Sequence, residues 1–259
     1  LLHEASDFNL FPQRIWNERV GQALCGAPAL TNLKDYRYIH LKHHKFSGDP
    51  DLDPEVSFYH KTKIGYGRNE NRLIMNLIQD LTGVSTIRSL IVLTDIIKQA
   101  IKRGDIRATN KFDLQWGALG WSVLFVPPLL LGTIKFAFII WALATLVVTP
   151  ILIRWHGIGE HTGVNAEVEQ DKTLTHEFPF IVNFFLYPLK SGFHLEHHLF
   201  PQVPWYRMNK FRNELMNDLG YKMETQKLTV DGFWVGKRTV REIVLEQATE
   251  QQVPQEVLL

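Results

Sequence analysis

Apolar residues recur at helical intervals along much of this chain. Between Asn76 and Arg103 they fall every three or four positions, which places them on one face of an α-helix. The end of this segment is basic, with Lys98, Lys102 and Arg103. The pattern predicts one amphipathic helix, which lies either along anionic lipid headgroups or against the core of a soluble domain.

Residues 45–72 have a different composition. They are rich in Asp, Pro, Gly and Lys, which predicts an extended polar loop. The alternating aspartates at 49–53 resemble the start of a calcium loop, but prolines interrupt them and His60 stands where such a loop has Glu. We therefore interpret residues 49–53 as a polar turn.

Residues 114–153 are apolar, and Lys135 is their only charged residue. The letters "GTIK" at 132–135 divide them into two halves of 18 residues, close to the roughly 20 that span a bilayer core. The pattern predicts a transmembrane hairpin, and the alternative is a buried hairpin of a soluble bundle. Basic residues beside both ends, Lys111 and Arg154, indicate cytoplasmic ends. Two crossings return the chain to the side it left, so the segments before and after the hairpin share that side.

Composition limits the chemistry of the protein. The chain of 259 residues has one cysteine, Cys25, which excludes a disulfide framework and a cysteine metal site. Any metal must therefore be held by nitrogen or oxygen. The formal net charge is +1, and no concentrated basic run occurs, so we expect no nucleic-acid partner.

The histidines give the clearest indication of function. The pattern H-x-x-H-H occurs twice, at His40, His43 and His44 and again at His194, His197 and His198. Positions i, i+3 and i+4 of an α-helix lie within an arc of about 100°, so the three rings of each group can reach one point. Because neutral imidazole is a common metal ligand, each group predicts a metal-binding helix. A purely structural role for both groups is the alternative.

Two weaker groups accompany them. "WHGIGEHTG" contains His161, a predicted ligand, and His156, which is either a ligand or the polar end of a helix. "LLHEASD" contains His3 and Asp7, one helical turn apart and therefore on one face.

The number of clustered histidines indicates more than one metal ion. Nine of the 11 histidines lie in these four groups, whereas one zinc ion takes three or four ligands. Mostly imidazole ligands with open positions point to iron and oxygen chemistry. Glu160 and Glu196 adjoin predicted ligands and are predicted to accept hydrogen bonds that fix ring orientation, with simple solvent exposure as the alternative.

These motifs resemble those of the membrane fatty acid desaturase superfamily. The resemblance rests on "HEASD", "HLKHH", "HGIGEH" and "FHLEHHLFPQVPWY", and on "NERVGQALCGAPALTNLKDYRYIHLKHHKFSGDPDLDP", which is similar to bacterial members. It implies an all-α fold, an integral membrane helical bundle with a cytosolic, histidine-rich cap that holds two iron ions. Residues 1–259 would form a single domain, with the transmembrane hairpin at about 114–153 and the cap built from 1–111 and 154–259.

The resemblance also implies roles. Carried over by position, the iron ligands would be His3, His40, His43, His44, His161, His194, His197 and His198. Asp7 and His156 are predicted as ligands beside them. The implied function is an O₂-dependent desaturase that introduces a C=C bond into the acyl chain of a lipid or thioester. Electrons would come from an external donor of ferredoxin, rubredoxin or cytochrome b5 type, and the histidine-rich face would be cytoplasmic.

The chain departs from the family pattern in two places. The first histidine motif of the family, called the first box, corresponds here to "HEASD". It usually ends in histidine, where this chain has Asp7, and a carboxylate changes the charge around iron. A catalytically impaired homologue is therefore one alternative. The chain also begins inside the first box, so we expect an N-terminal truncation. A hydroxylase or ketolase of the same superfamily, acting on alkane, sterol or carotenoid, and a membrane zinc hydrolase are further alternatives.

Overall fold

A computed structural model describes residues 1–49, 51–62, 70–161 and 173–243. The structure is 73% helical, which confirms the all-α class. The α-helices of these residues are α1 (Leu2–Ser6), α2 (Arg14–Val20), α3 (Leu33–Phe46), α4 (Pro54–Thr62), α5 (Glu70–Leu81), α6 (Val84–Arg103), α7 (Lys111–Leu130), α8 (Ile134–Leu143), α9 (Thr149–His161), α10 (Phe180–Leu186), α11 (His194–Leu199), α12 (Trp205–Leu215) and α13 (Leu219–Thr225). Two parallel strands of two residues each, β1 (Thr175–His176) and β2 (Thr229–Val230), pair with Thr175 opposite Thr229.

The described residues form two compact units, and each is described by itself. Unit 1 contains residues 1–62 and 77–151 of the described part, and unit 2 contains residues 70–76, 152–161 and 173–243. The two H-x-x-H-H groups therefore belong to different units.

In unit 1, α7 packs closely on a π-helical segment, Gly21–Gly26. Gly120 of α7 makes this approach possible, because a Cβ at Gly120 would overlap the carbonyl group of Ala23, with its carbon only 2.7 Å away. Only a residue without a side chain allows the two backbones to come so near.

The starts of α3 and α7 are fixed by side-chain caps. Asn32 accepts a hydrogen bond from the Lys34 N–H at 2.9 Å, and Asn110 and Asp113 form a reciprocal capping box at 3.1 Å. The Lys34 ammonium lies 2.8 Å from the Asp113 carboxylate. These contacts satisfy N–H groups that a helix start leaves unpaired, and they join the first turns of the two helices.

The polar segment 45–72 is not an extended loop throughout, so that prediction is wrong in part. α4 occupies Pro54–Thr62. Its first turn is capped by the Asp53 carboxylate, which accepts the Glu55 N–H at 2.8 Å. The predicted turn before α4 does form, since the Asp49 side chain accepts hydrogen bonds from the N–H groups of Asp51 and Leu52. Residues 63–69 of the predicted loop lie outside the described residues, and α5 begins at Glu70.

The single amphipathic helix predicted from Asn76 to Arg103 is two helices, α5 and α6. Between them, Gly83 has a φ of 76°, in the left-handed region where an α-helix ends. The apolar periodicity continues across this break, so periodicity alone could not reveal it.

The apolar segment 114–153 contains two helical arms separated by a turn. α7 ends at Leu130, and Gly132 takes a φ of 70° before α8 begins. Within the described part of the chain, one helix is long and apolar enough to cross a membrane by length and composition. It is the continuous run Ile134–His161 of 28 residues, in which the π-helical segment Ala144–Val148 joins α8 to α9. The two-crossing hairpin therefore stays a prediction.

The core of unit 2 surrounds the short β1–β2 ladder. Its fully buried apolar residues include Ile158, Leu174, Leu195 and Val230, each at most 1% exposed. They come from α9, the segment entering β1, α11 and β2. Within this core, Ile158 and Leu195 come from the helices that carry His161 and His194.

The close contact of α7 predicts a difference between two glycines. Gly120→Ala should destabilise the protein by about 1–3 kcal/mol, because the added methyl group overlaps the Ala23 backbone. Gly117→Ala on the same helix is the control, since its Cβ would meet its nearest neighbour at an ordinary 3.6 Å. That change should be neutral or stabilising by up to about 1 kcal/mol. Thermal unfolding in detergent compares the two, and equal midpoints would contradict the packing.

Candidate metal centre

Three predicted ligands of unit 1 converge. The ligand atoms of His3, Asp7 and His40, called the first cluster, all lie within 4.8 Å of one another. Asp7 Oδ1 is 3.0 Å from His40 Nε2, and Asp7 Oδ2 is 3.6 Å from His3 Nδ1. Two ligands each about 2.1 Å from one first-row metal ion are separated by at most about 4.2 Å. These separations fit a shared ion.

His44 adjoins the first cluster. Its Nε2 is 3.1 Å from His40 Nε2. Burial, together with the nearby His40, lowers the pKa of His44 to about 2. The ring is therefore neutral at pH 7, and neutral imidazole is the form that binds metals.

His43 is oriented by a carboxylate. Its Nδ1 lies 2.8 Å from Asp53 Oδ2, and both side chains are buried. Burial alone would raise the pKa of Asp53, but the hydrogen bond with His43, the charge of that ring and the N–H groups of Gly48 and Glu55 together lower it. A carboxylate on Nδ1 fixes the ring tautomer and makes Nε2 the ligand atom.

Arg37 of α3 holds α1 and the first cluster in position. Its Nε donates to the carbonyl oxygen of Ser6 at 2.8 Å and its Nη2 to that of Ala5 at 2.9 Å. Its Nη1 pairs with Glu18 at 2.7 Å. The two carbonyls belong to the last turn of α1, where helical partners run out. One guanidinium thus joins the helix carrying His3 to α3, which carries His40, His43 and His44.

Three predicted ligands of unit 2 also converge. The ligand atoms of His161, His194 and His198, called the second cluster, lie within 4.8 Å of one another. His194 Nε2 is 3.0 Å from His161 Nε2 and 3.1 Å from His198 Nε2. His194 and His198 stand one turn apart on the six-residue helix α11, as the helical spacing predicts. The separations again fit one ion.

The remaining predicted residues of unit 2 lie beside the second cluster. The His197 ring is 6.0 Å from the His194 ring, centre to centre. Glu160 Oε2 is 3.7 Å from His194 Nε2, and its Oε1 is 3.3 Å from His156 Nδ1. The other nitrogen of His156 faces the carbonyl oxygen of Leu186. His156 is thus not among the converging ligand atoms of the described residues, and its role as a ligand stays a prediction.

Glu196 points away from the cluster, although it adjoins ligand histidines in sequence. It is fully buried and accepts hydrogen bonds from Thr175 Oγ1 at 2.7 Å and from the Tyr221 hydroxyl at 3.0 Å. It also pairs with Arg212, whose other nitrogen contacts Glu177 at 2.6 Å. Glu196 therefore anchors α11, and its contacts among the described residues are with Thr175, Arg212 and Tyr221 rather than with a ligand ring.

Sequence reasoning missed three of these supporting residues, Arg37, Asp53 and Arg212. Asp53 stands directly before Pro54, a combination typical of a helix start. This signal could have identified Asp53 as the cap of α4, but not its contact with His43. Arg212 carries no local signal, because its partner Glu196 comes from another helix.

Comparison with known proteins agrees with this geometry. A family model described as "Fatty acid desaturase" matches residues 1–227, which include both clusters. The chain belongs to the fatty acid desaturase family, a family of desaturase-type oxidoreductases. It is similar to the dihydrorhizobitoxine desaturase of Bradyrhizobium elkanii, with 24% identity over 226 residues. That match covers 85% of this chain, and the chain spans 64% of that relative's length.

The buried pair beneath α11 makes a testable prediction about stability. Glu196→Gln removes the buried carboxylate that faces Arg212 and leaves that buried charge with only the half-exposed Glu177, so it should cost about 3–5 kcal/mol. Glu214→Gln on α12 is the control, because Glu214 pairs with Lys210 at 3.8 Å with side chains 63% and 85% exposed, and such pairs contribute below about 1 kcal/mol. Denaturant unfolding of the metal-free protein measures both. Equal losses would contradict the anchoring role of Glu196.

Proposed function

We propose that this protein is an O₂-dependent fatty acid desaturase that introduces a C=C bond into an acyl chain and holds one iron ion at each cluster. In this proposal residues 1–259 function as a single domain. The observation that carries it is the pair of three-ligand clusters, built on segments that match the fatty acid desaturase family.

The donor set supports iron. Both clusters contain imidazoles, with one carboxylate at Asp7 and no thiolate, a mixture suited to iron that keeps coordination positions open. Bound iron would supply the activation of O₂ and the removal of hydrogen from an unactivated methylene, which no side chain can perform. In the balanced reaction, two hydrogens leave neighbouring carbons, a donor supplies two electrons, and one O₂ with two protons becomes two waters.

The chain's own residues position these ligands. Arg37 secures α1 against α3, Asp53 sets the tautomer of His43, and Glu196 with Arg212 fixes the back of α11. A ligand set held in this way needs little rearrangement when substrate arrives. We infer that His43, His44 and His197, next to the clusters, complete the ligand set that the family resemblance implies.

A cavity in unit 1 supports an apolar substrate. Its volume is about 580 Å³, within the range of small-molecule sites. Apolar side chains of α6 and α7, among them Leu93, Ile97 and Trp121, line it together with Asn32 and Asp35 from the start of α3. We propose that it receives part of the acyl substrate, since α3 also carries His40.

Exposed apolar helices support a membrane location. Along α7 and α8, Leu130, Phe136 and Ile140 are 80%, 70% and 68% exposed, and water disfavours an apolar surface of this kind. We propose that residues 114–153 form the transmembrane hairpin, with the histidine-bearing parts on the cytoplasmic side. An external one-electron carrier of ferredoxin, rubredoxin or cytochrome b5 type would reduce the iron.

Lipid analysis tests the proposed reaction. The full-length protein, expressed with a compatible donor in a host without desaturases, should produce a new double bond only when O₂ is present. His40→Ala should abolish the product, because it removes a ligand of the first cluster. His60→Ala should not, since His60 is exposed and outside both clusters.

Two results would contradict desaturation. Iron-loaded protein that forms no double bond in air would exclude it, and so would product formation that survives His40→Ala. A product that gains oxygen, rather than losing two hydrogens, would identify the hydroxylase or ketolase alternative.

Asp7 separates an active enzyme from an impaired homologue. The side chain of Asp7 is 2% exposed and lies within the first cluster, which supports its use as a ligand. On our proposal, Asp7→His raises neither iron content nor product, because the native carboxylate already completes the site. A rise in both quantities, measured by elemental analysis and lipid analysis, would favour the impaired homologue.

A further inference from the structure

His176 is a buried histidine outside the four histidine groups. It lies in β1 and is 1% exposed. Its backbone N–H donates to the carbonyl oxygen of Gly192 at 2.8 Å, and its Nδ1 is 3.1 Å from the same oxygen. Its Nε2 is 2.9 Å from the carbonyl oxygen of Gly159. The ring therefore lies between two backbone segments that are distant in sequence.

Both segments carry ligands of the second cluster. Gly159 precedes His161 by two residues near the end of α9, and Gly192 precedes His194 by two residues before α11. The imidazole ring thus spans the gap between these two carbonyl oxygens.

Gly159 has no room for a side chain, and Gly192 has little. A Cβ at Gly159 would overlap the hydroxyl of Tyr187 and lie 3.2 Å from His176 Nε2. A Cβ at Gly192 would lie 3.2 Å from His176 Cβ and 3.3 Å from Tyr187 Cβ. The backbones therefore approach the ring directly.

Neighbouring aromatic rings hold His176 in one orientation. Tyr187 stacks on it with ring centres 4.3 Å apart, and Phe178 lies at 4.9 Å. Burial lowers the pKa of His176 to about 4, so the ring is neutral at pH 7 and its single N–H donates to one of the two facing carbonyl oxygens. An apolar residue would fill this site without the cost of burying a polar ring. The polar ring is found where its nitrogens meet the two ligand-bearing segments.

We propose that His176 is a positioning residue for the second cluster, which sets the separation between the segments carrying His161 and His194. This inference rests on the proposed function, because it takes the second cluster to be a metal site. Groups that orient ligands from outside a metal site typically contribute about 10–100-fold in metal affinity. We expect a loss of metal affinity in that range when the His176 ring, which contacts both carbonyl oxygens, is replaced by an apolar side chain.

Cobalt binding tests the inference without requiring activity. The full chain, purified metal-free in detergent, is titrated with Co²⁺ and followed by visible absorbance. The wild-type protein should bind two equivalents. His176→Leu should weaken one equivalent by about 10–100-fold and leave the other unchanged. His176→Gln, whose amide nitrogen can replace Nε2 opposite Gly159, should retain most of the affinity.

A matched variant separates positioning from general stability. Val230 pairs with His176 in the β-ladder and is 0% exposed. The atoms nearest to a Cβ at Gly159 or Gly192 belong to Tyr187 and His176, not to Val230. Val230→Ala should lower the thermal midpoint by creating a cavity, while both cobalt affinities stay at their wild-type values. Should His176→Leu fail to fold, His176→Asn takes its place, because it loses the donor facing Gly159.

Two outcomes would overturn the inference. One is wild-type cobalt affinity at both sites in His176→Leu, or in His176→Asn where that variant replaces it. The other is an equal loss of affinity in Val230→Ala, which would make the effect one of stability alone. A wild-type chain that binds no cobalt would refute the proposed function and the inference together, and the wild-type titration identifies that case before any variant is made.

Discussion

Imidazole nitrogens that face one another inside a protein impose the constraint on which the rest of this structure depends. Between two such nitrogens there is room for one hydrogen. His194 Nε2 nevertheless faces both His161 and His198, at 3.0 and 3.1 Å. Protonating such rings is unfavourable where they are buried, as the pKa of about 2 for His44 illustrates. A metal cation at the shared point would accept all the lone pairs and remove the conflict, which is why we propose that both clusters are metal sites.

Each unit holds its converging rings by means that the histidine pattern does not contain. Unit 1 uses charge-assisted hydrogen bonds, since Arg37 joins α1 to α3 and Asp53 fixes His43. Unit 2 relies on a buried ion pair behind α11, formed by Glu196 and Arg212. These contacts are made within the protein and hold the rings in converging positions. In the proposed enzyme, the protein would therefore provide preorganisation and bound iron would provide the reactivity.

Local geometry explains what could be predicted from the sequence. The spacing H-x-x-H-H places His194 and His198 on one face, because the helical repeat fixes side-chain direction within a turn. The apolar arms on either side of Gly132 were likewise recognisable by composition. Helix ends were harder to predict, since the break at Gly83 depends on one backbone angle and α4 lies in a segment of polar composition.

Tertiary partners explain what could not be predicted. Glu196 adjoins ligand histidines in sequence, yet it faces Arg212 on another helix. His176 belongs to no motif, and its contacts with Gly159 and Gly192 arise only when distant segments fold together. The ligand types were thus visible in the sequence, whereas the residues that hold them were not.

The metal content of the purified chain tests the central claim most directly. If the two clusters of imidazole and carboxylate donors are iron sites, elemental analysis of protein expressed in iron-replete medium will find two iron ions per chain and no stoichiometric zinc. Zinc in place of iron, or a folded protein that retains neither metal, would contradict the account.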